Sequence, residues 1–565
     1  MSNHLRKSGV TDTAPRSRSK KWIATGIAGL TGVVALGMVA GSNAGAMTRL
    51  DDIGGQQSQK DGSGWEGREG AERRPHATSV PCDATALVAA INTANQFLGG
   101  TLKLARGCTY ELRNGTANNG LPPITTDITI QGEHSTIERA FDLASAAPTL
   151  FRIFQVNAGG NLRLADVTLR NGLVTSVPGG GAMLVQAGGR AEVKNVKFAQ
   201  NNARGPGGIN GGALTNLGTT VIKDSKFTLN NGGQNGGAVY NTGTLTVEKS
   251  HFETNRVSGA ANNGGGGIAS AGGSVVVRES TFVGNQSAGD GGGLLLTSGT
   301  GEISDSTFRL NVAINNGGGV ANDGGTLSLR NVKFLENTAA AGAGGGLYTA
   351  AGTTTTILPA EGEWPGKLSE WGHSESGKDK GGKEEESKKD EKAKKEDGGK
   401  GSTATDKTEK SEGHGGGDGG KPVDDEKWAA GEKSAEGDKL ADFAGPDADE
   451  KLAQHRGTIF YGNVAGNAVT GGGAIYNAGT ITIADSLLLR NQAGANGGGL
   501  NNAVTGVAVI QRSVITENQA SNTGGGIFNL NATAGSVTID TRTLVFRNNP
   551  NNCAGPGTPI ANCQG

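Results

Sequence analysis

The chain has 565 residues, a formal net charge of −1, Gly at 99 positions and aromatic residues at only 4%. The near-zero charge excludes a whole-chain field that would steer it to nucleic acid. The shortage of large side chains excludes a thick globular core and favours a narrow one with many tight corners.

At the N-terminus, Lys20 and Lys21 precede an apolar run from Trp22 to Ala40, which Ala44-Gly45-Ala46 follows. Basic, apolar and small-residue segments in that order read as an export signal over residues 1–46. The apolar run is also long enough to cross a bilayer, so an uncleaved anchor with its basic end inside is the rival reading. Either way the rest of the chain is expected outside the cell or on its surface, with membrane contact through this segment alone. Residues 47–80 are polar and rich in Gly, Gln, Asp and Arg, the composition of a flexible linker. A helical face then begins: Leu87, Ile91, Ala94 and Leu98 are spaced 4, 3 and 4 apart, with Asp83 as N-cap and Gly99-Gly100 as stop. A short amphipathic helix ahead of a repeat array is expected to cap its first coil. Strand-like pieces at Thr101–Leu104, Ile128–Ile130, Phe151–Val156 and Leu162–Leu169 read as irregular first coils.

From there the sequence repeats. Gly runs end at Gly181, Gly212, Gly237, Gly267, Gly293, Gly319, Gly346, Gly473, Gly499 and Gly526, with gaps of 31, 25, 30, 26, 26, 27, 127, 26 and 27. In step with them come an aromatic or aliphatic residue and, three positions on, Asn201, Asn230, Asn255, Asn285, Asn311, Asn337, Asn463, Asn491 and Asn518. Between the motifs the chain alternates, as at Thr244-Leu245-Thr246-Val247-Glu248. Period-2 alternation inside a 26-residue repeat predicts short strands stacked as a solenoid. The fold class is therefore all-β: a right-handed parallel β-helix, a pectate-lyase-like solenoid, with an N-terminal amphipathic capping helix. Gly at the corners allows positive φ where a Cβ would clash. Equivalent Asn residues one strand spacing apart form a hydrogen-bonded ladder, and Phe residues stack beside them.

The gap of 127 hides an insertion. Gly346 to Phe460 spans 114 residues where Gly267 to Phe282 spans 15, so about 99 are extra. They are dense in Lys, Glu, Asp and Gly, and are expected to be a disordered loop leaving one corner of an uninterrupted solenoid. The domain reading is thus residues 81–358 for the first part of the β-helix with its cap, 359–456 for the insertion and 457–565 for the last coils. Cys82 with Cys108, and Cys553 with Cys563, are local pairs near the two ends, read as disulfides in an exported chain; free thiols are the alternative.

The paired motifs, as in Gly472-Gly473-Ala474-Ile475 and Phe308-x-x-Asn311, resemble the GGAI and FxxN repeats of the polymorphic outer membrane proteins over about residues 179–358 and 458–548. That family comprises autotransported adhesins with a β-helical passenger. The resemblance implies the fold and, by analogy, adhesion. About 19 residues follow Phe546, too few for the family's C-terminal membrane barrel, so self-transport is not expected. The earlier part, Cys82 to Gly172, looks like the N-terminal region of exported right-handed parallel β-helix proteins.

Catalysis on such folds needs clustered carboxylates that break the repeat. The position three before each Phe-type residue reads Asn195, Asp224, Lys249, Glu279, Asp305, Asn331, Asp485 and Arg512, mixed in sign, as expected of a solvated ladder. Glu279 and Asp305 make a poor cation site, and Asp290 in Gly289-Asp290-Gly291 lacks the flanking Asp residues of a Ca²⁺ nonapeptide array. His134 and His251 stand without partners. Arg139, Asp142 and Arg152, in the irregular coils, are where an active site is to be sought if there is one. Trp364, Trp371 and Trp428 of the insertion are expected to be scattered, with sugar stacking as the alternative. The expected function is a non-enzymatic surface or secreted protein for adhesion, interaction or display, monomeric, without cofactor or metal, with a glycan or cell-surface ligand. A polysaccharide lyase or glycoside hydrolase is the second reading and a structural envelope protein the third.

Overall fold

The computed structural model describes residues 77–140, 150–205, 208–259, 264–359, 455–556 and 559–563. Residues 1–46, read above as an export signal, nearly all of the expected linker and of the insertion, with its three Trp residues, lie outside them, as does Asp142.

The described chain winds as a right-handed parallel β-helix of about 13 turns. One coil shows the plan. Val239–Asn241 lies on a first face, Thr244–Glu248 on a second, His251–Glu253 on a third, and the two-residue strand Arg256–Val257 on a minor sheet. Each pairs in parallel with the same position of the next coil: Val239 with Ile268, Leu245 with Val275, Phe252 with Phe282, and Val257 with Ser287. A strand spacing of about 4.8 Å per coil makes the solenoid roughly 60 Å long. Alternation along each strand sends one set of side chains inward, so Leu245, Val247 and Phe252 are fully buried while Thr244 is exposed.

Two ladders fill the column. The Phe rings at 198, 227, 252, 282, 308, 334 and 460 stack with centroids 4.4–5.5 Å apart. Beside them, Asn285 accepts at Oδ1 from the backbone N–H and Nδ2 of Asn255, at 3.1 and 2.9 Å. Its own Nδ2 donates to Phe252 O and to Asn311 Oδ1, both at 2.9 Å. The same bonds recur along the buried ladder from Asn201 to Asn518, and Asn548 continues it. A fully satisfied amide network costs nothing in unmet polarity, but a gap in it does. Asn285→Ala leaves acceptors and donors of two neighbouring coils without partners. We expect a loss of about 3–5 kcal/mol, as two or three buried groups at about 1–3 kcal/mol each, read from the urea midpoint.

The stack runs across the insertion. Phe334 and Phe460 are 4.6 Å apart and Asn337 Nδ2 donates to Asn463 Oδ1 at 3.0 Å, so the chain leaves after Leu358 and rejoins at Thr458 without loss of register.

The helix spans Ala84–Gln96, and the Asp83 carboxylate accepts from Ala86 N–H at 2.8 Å. Leu87, Ile91 and Ala94 join the solenoid core. Leu98 does not: it is 85% exposed with φ 63°, taking the left-handed step that ends the helix. Gly99-Gly100 is therefore not the stop but the start of the strand Gly99–Leu104. Disulfides join Cys82 to Cys108 beside the cap and Cys553 to Cys563 at the other end, where Cys553 and Cys563 pack against the core.

The row three before each Phe-type residue has a different basis from solvation. Asn195, Asp224, Lys249, Glu279, Asp305, Asn331, Asp485 and Arg512 all have φ between 45° and 52°. They form the left-handed bend from the second face to the third, a conformation Asn and Asp adopt most readily. Nor is the row wholly solvated. Asp485 is buried and receives Arg512 Nε and Nη2 at 2.6 and 2.9 Å, and Asn331 Nδ2 donates to Asp305 at 2.7 Å.

Candidate functional site

On the first face the middle residue of each strand points out of the column. In register these are Tyr240, Ala269, Leu295, Ala321, Tyr348 and Tyr476. Ala269, Leu295 and Ala321 form a buried apolar cluster against which Tyr240 and Tyr348 pack. The Tyr348 and Tyr476 rings stack, with centroids 5.4 Å apart and planes 8° from parallel. Beside them opens a cavity of about 330 Å³ that Asn315, Asn316, Asn467 and Thr470 also line. The cavity is thus walled by two Tyr rings and by amides, with the apolar cluster alongside it on the same face.

The corner leading into this face carries a second amide row. Asn235 donates from its backbone N–H to Asn210 Oδ1 at 3.1 Å, and Gly264 N–H to Asn235 Oδ1 at 3.2 Å. Two coils on, Ala343 N–H donates to Asn316 Oδ1 at 3.0 Å. Between them the row holds Asp290, whose Oδ1 accepts from Asn316 N–H at 2.8 Å. The preceding coil offers Gly264 there, without a side chain. One coil after Asp290, Asp323 follows the first-face strand Val320–Asn322, where Thr242, Ala350 and Ala478 stand in other coils. Two carboxylates thus flank the same face on adjacent coils, each alone in its row.

Burial pushes the Asp290 carboxyl above the usual carboxylate range, against the hydrogen bonds from Asn316. Burial and then the Asp290 charge push Asp323 up too. Asp323 is an exposed residue, so solvent screening limits what that proximity is worth. The Tyr348 phenol is pushed up to about 12, by burial first and then by Tyr476, Asp323 and Asp290. Its hydroxyl stays protonated and can donate. Asp323 exerts no reciprocal push on Asp290, whose shift comes from its burial.

The residues singled out by sequence lie elsewhere. Arg139 is buried, with Nε donating to Asn171 O at 2.7 Å. Arg152 is 3% exposed; its Nη1 donates to Gln155 Oε1 at 3.0 Å and Asn119 Oδ1 at 3.3 Å, its Nε is unpartnered, and burial pulls it down to about 10. Both are packed into the wall of the irregular coils. His134 is exposed at a left-handed bend, whereas His251 does have a partner: its Nε2 lies 3.6 Å from Glu253. Glu279 lies 3.8 Å from Lys249 Nζ, and Asp305 takes its hydrogen bond from Asn331. Among the described residues no group of three or more His, Cys, Asp or Glu could hold a metal. Nor, among them, is any helix long and apolar enough to cross a membrane.

Tyr348, Tyr476, Asn316 and Asp323 escaped the sequence reading, and Asp290 was weighed there only as a Ca²⁺ ligand and set aside. Asp290 was visible as the one acid in a run of Asn-Gly-Gly corners, but its neighbours in space come from other coils.

Residues 153–334, less than half of the chain, match the family model described as right handed beta helix region. No curated protein and no solved structure matches the chain significantly.

Proposed function

We propose that this solenoid is an exported, non-enzymatic surface or secreted interaction protein that holds a neutral glycan chain on its first face. The observation that carries the proposal is the stacked Tyr348–Tyr476 pair beside an amide-lined cavity of about 330 Å³. Tyr rings suit the C–H groups of sugars and their hydroxyls can donate to them, and Asn side chains offer both donors and acceptors to sugar hydroxyls. Asp290 and Asp323 disfavour acidic chains. Export is supported by the leader at Lys20–Ala46 and by the two disulfides.

The acid pair favours one second reading, hydrolysis of that glycan. One carboxyl, when protonated, would give its proton to the leaving glycosidic oxygen, and the other, when ionised, would take a proton from the attacking water as its oxygen bonds the anomeric carbon and the C–O bond breaks. A single experiment separates the readings: the purified chain is passed over immobilised neutral and acidic polysaccharides, and the length of the same polysaccharides in solution is followed. Retention on a neutral glycan of unchanged length is expected. Shortened chains select hydrolysis. No retention on any of them sinks the glycan reading and leaves a structural envelope role.

A further inference from the structure

The corner row ahead of the first face works as a relay. In four coils a side-chain oxygen accepts the backbone N–H of the equivalent residue in the next coil. Asn210 accepts from Asn235, Asn235 from Gly264, Asp290 from Asn316 and Asn316 from Ala343, at 3.1, 3.2, 2.8 and 3.0 Å. Backbone bonds carry the row onward: Gly317 N–H donates to Ala343 O, Gly344 N–H to Gly471 O and Gly472 N–H to Asn496 O. After Asn316 the row therefore runs through Ala343 and Gly471 to Asn496. Ala343 has a methyl group where Asn316 has a carboxamide. Gly471 is buried, and its N–H has no hydrogen-bond partner among the described residues. Ala343, whose side chain is too short to meet that N–H, and Thr470, the chain neighbour of Gly471, both line the cavity of about 330 Å³. A buried N–H without an acceptor is costly, and a ligand that supplies one removes the cost.

Given the glycan reading above, on which this rests, we propose that the cavity takes an N-acetylated amino sugar. Its acetamido group stands in for the carboxamide that position 343 lacks. The acetamido carbonyl is the same kind of acceptor that Asn supplies elsewhere in the row, so it completes the relay at Gly471 N–H. The acetyl methyl meets the side chains of Ala341 and Ala343, which also line the cavity. Asn315, Asn467 and Thr470 offer donors and acceptors to the ring hydroxyls, and the rings of Tyr348 and Tyr476 meet the sugar's C–H groups. A plain hexose carries a hydroxyl in place of the acetamido group. It brings no methyl to the two Ala residues and no carbonyl to the orphaned N–H. A carboxylated or sulfated sugar fares no better, because none of the lining residues is a cation.

The test is calorimetric titration of the full-length chain with two short β-1,4-linked oligosaccharides of equal length, one of N-acetylglucosamine and one of glucose. They differ only in the group at the second carbon of each ring. The N-acetylated oligomer is expected to bind at least roughly tenfold tighter, since a missing methyl contact alone is worth about that much. Ala343→Asn supplies the row's own carboxamide to Gly471 N–H. It is expected to abolish that preference and to raise the melting midpoint, whereas a variant that merely misfolds would lower it. Equal binding of the two oligomers to the unaltered chain overturns the proposal and leaves the broader glycan reading standing. So does a preference for the N-acetylated oligomer that a well-folded Ala343→Asn retains, since the acetamido group would then lie elsewhere. Binding of neither oligomer, with no neutral polysaccharide retained either, overturns both.

Discussion

Gly292→Ala is expected to cost more than about 4 kcal/mol and to disrupt the coils around it, while Gly352→Ala costs about 1–2 kcal/mol. Gly292 lies in the corner ahead of Leu294. A Cβ there would overlap the carbonyl oxygen of Gly318 and lie 2.7 Å from Val312 N and C, all backbone atoms of the next coil. No side chain can rotate away, and the coils cannot part without breaking the Asn and Phe ladders on either side. Gly352 is the converse case: φ is +77° and nothing lies within 4 Å of an added Cβ, so only the left-handed backbone is penalised. Thermal or urea midpoints of the two variants, measured together, check the argument. Equal, mild effects would mean that the corners are not stacked as tightly as their backbones indicate.

The same logic explains what was legible in the sequence. A coil cannot bury its own core, so identical demands recur every 26 or so residues, and Phe282, Asn285 and Gly292–Gly293 carry them visibly. The solenoid and its capping helix follow from that. Local geometry was less legible. Leu98 looks like a fourth residue on the helical face, but the chain must turn at once into the strand at Gly99, and the left-handed step falls on it. The mixed row of Asp224, Lys249 and Glu279 looks like indifferent surface because its common property is a backbone angle that several side chains tolerate. The candidate site was least legible. A local acid that breaks the repeat is the right signal, but the informative row is the corner of Asn210, Asn235, Asp290 and Asn316, not the row before Phe. Asp323 and Tyr348 come beside it only through coil stacking.

Tyr348→Ala is expected to weaken retention of the glycan by at least about tenfold, some 1.4 kcal/mol, and also to lower the melting transition, because the ring packs on the Ala269–Leu295–Ala321 cluster and on Tyr476. Asp290→Asn separates function from stability by its pH dependence. Asn is the ordinary residue of that corner row, and Asp290 is held above its unfolded value by burial. A carboxyl raised on folding stabilises the protein while protonated, below its unfolded value, and that contribution is lost as pH rises through the raised folded value. Near neutral pH the native chain therefore bears the cost of a buried charge, and Asp290→Asn should be the more stable protein. Well below the carboxylate range both forms are neutral and the advantage should disappear. A site residue that is worse for stability than its neighbours' Asn is what a binding or proton-transfer role would retain. Midpoints of unfolding across that range, set beside retention and chain length on the same glycan, decide the matter. If Asp290→Asn is no more stable at neutral pH and binds as well as the native chain, Asp290 is a tolerated variation of the corner and not part of a site.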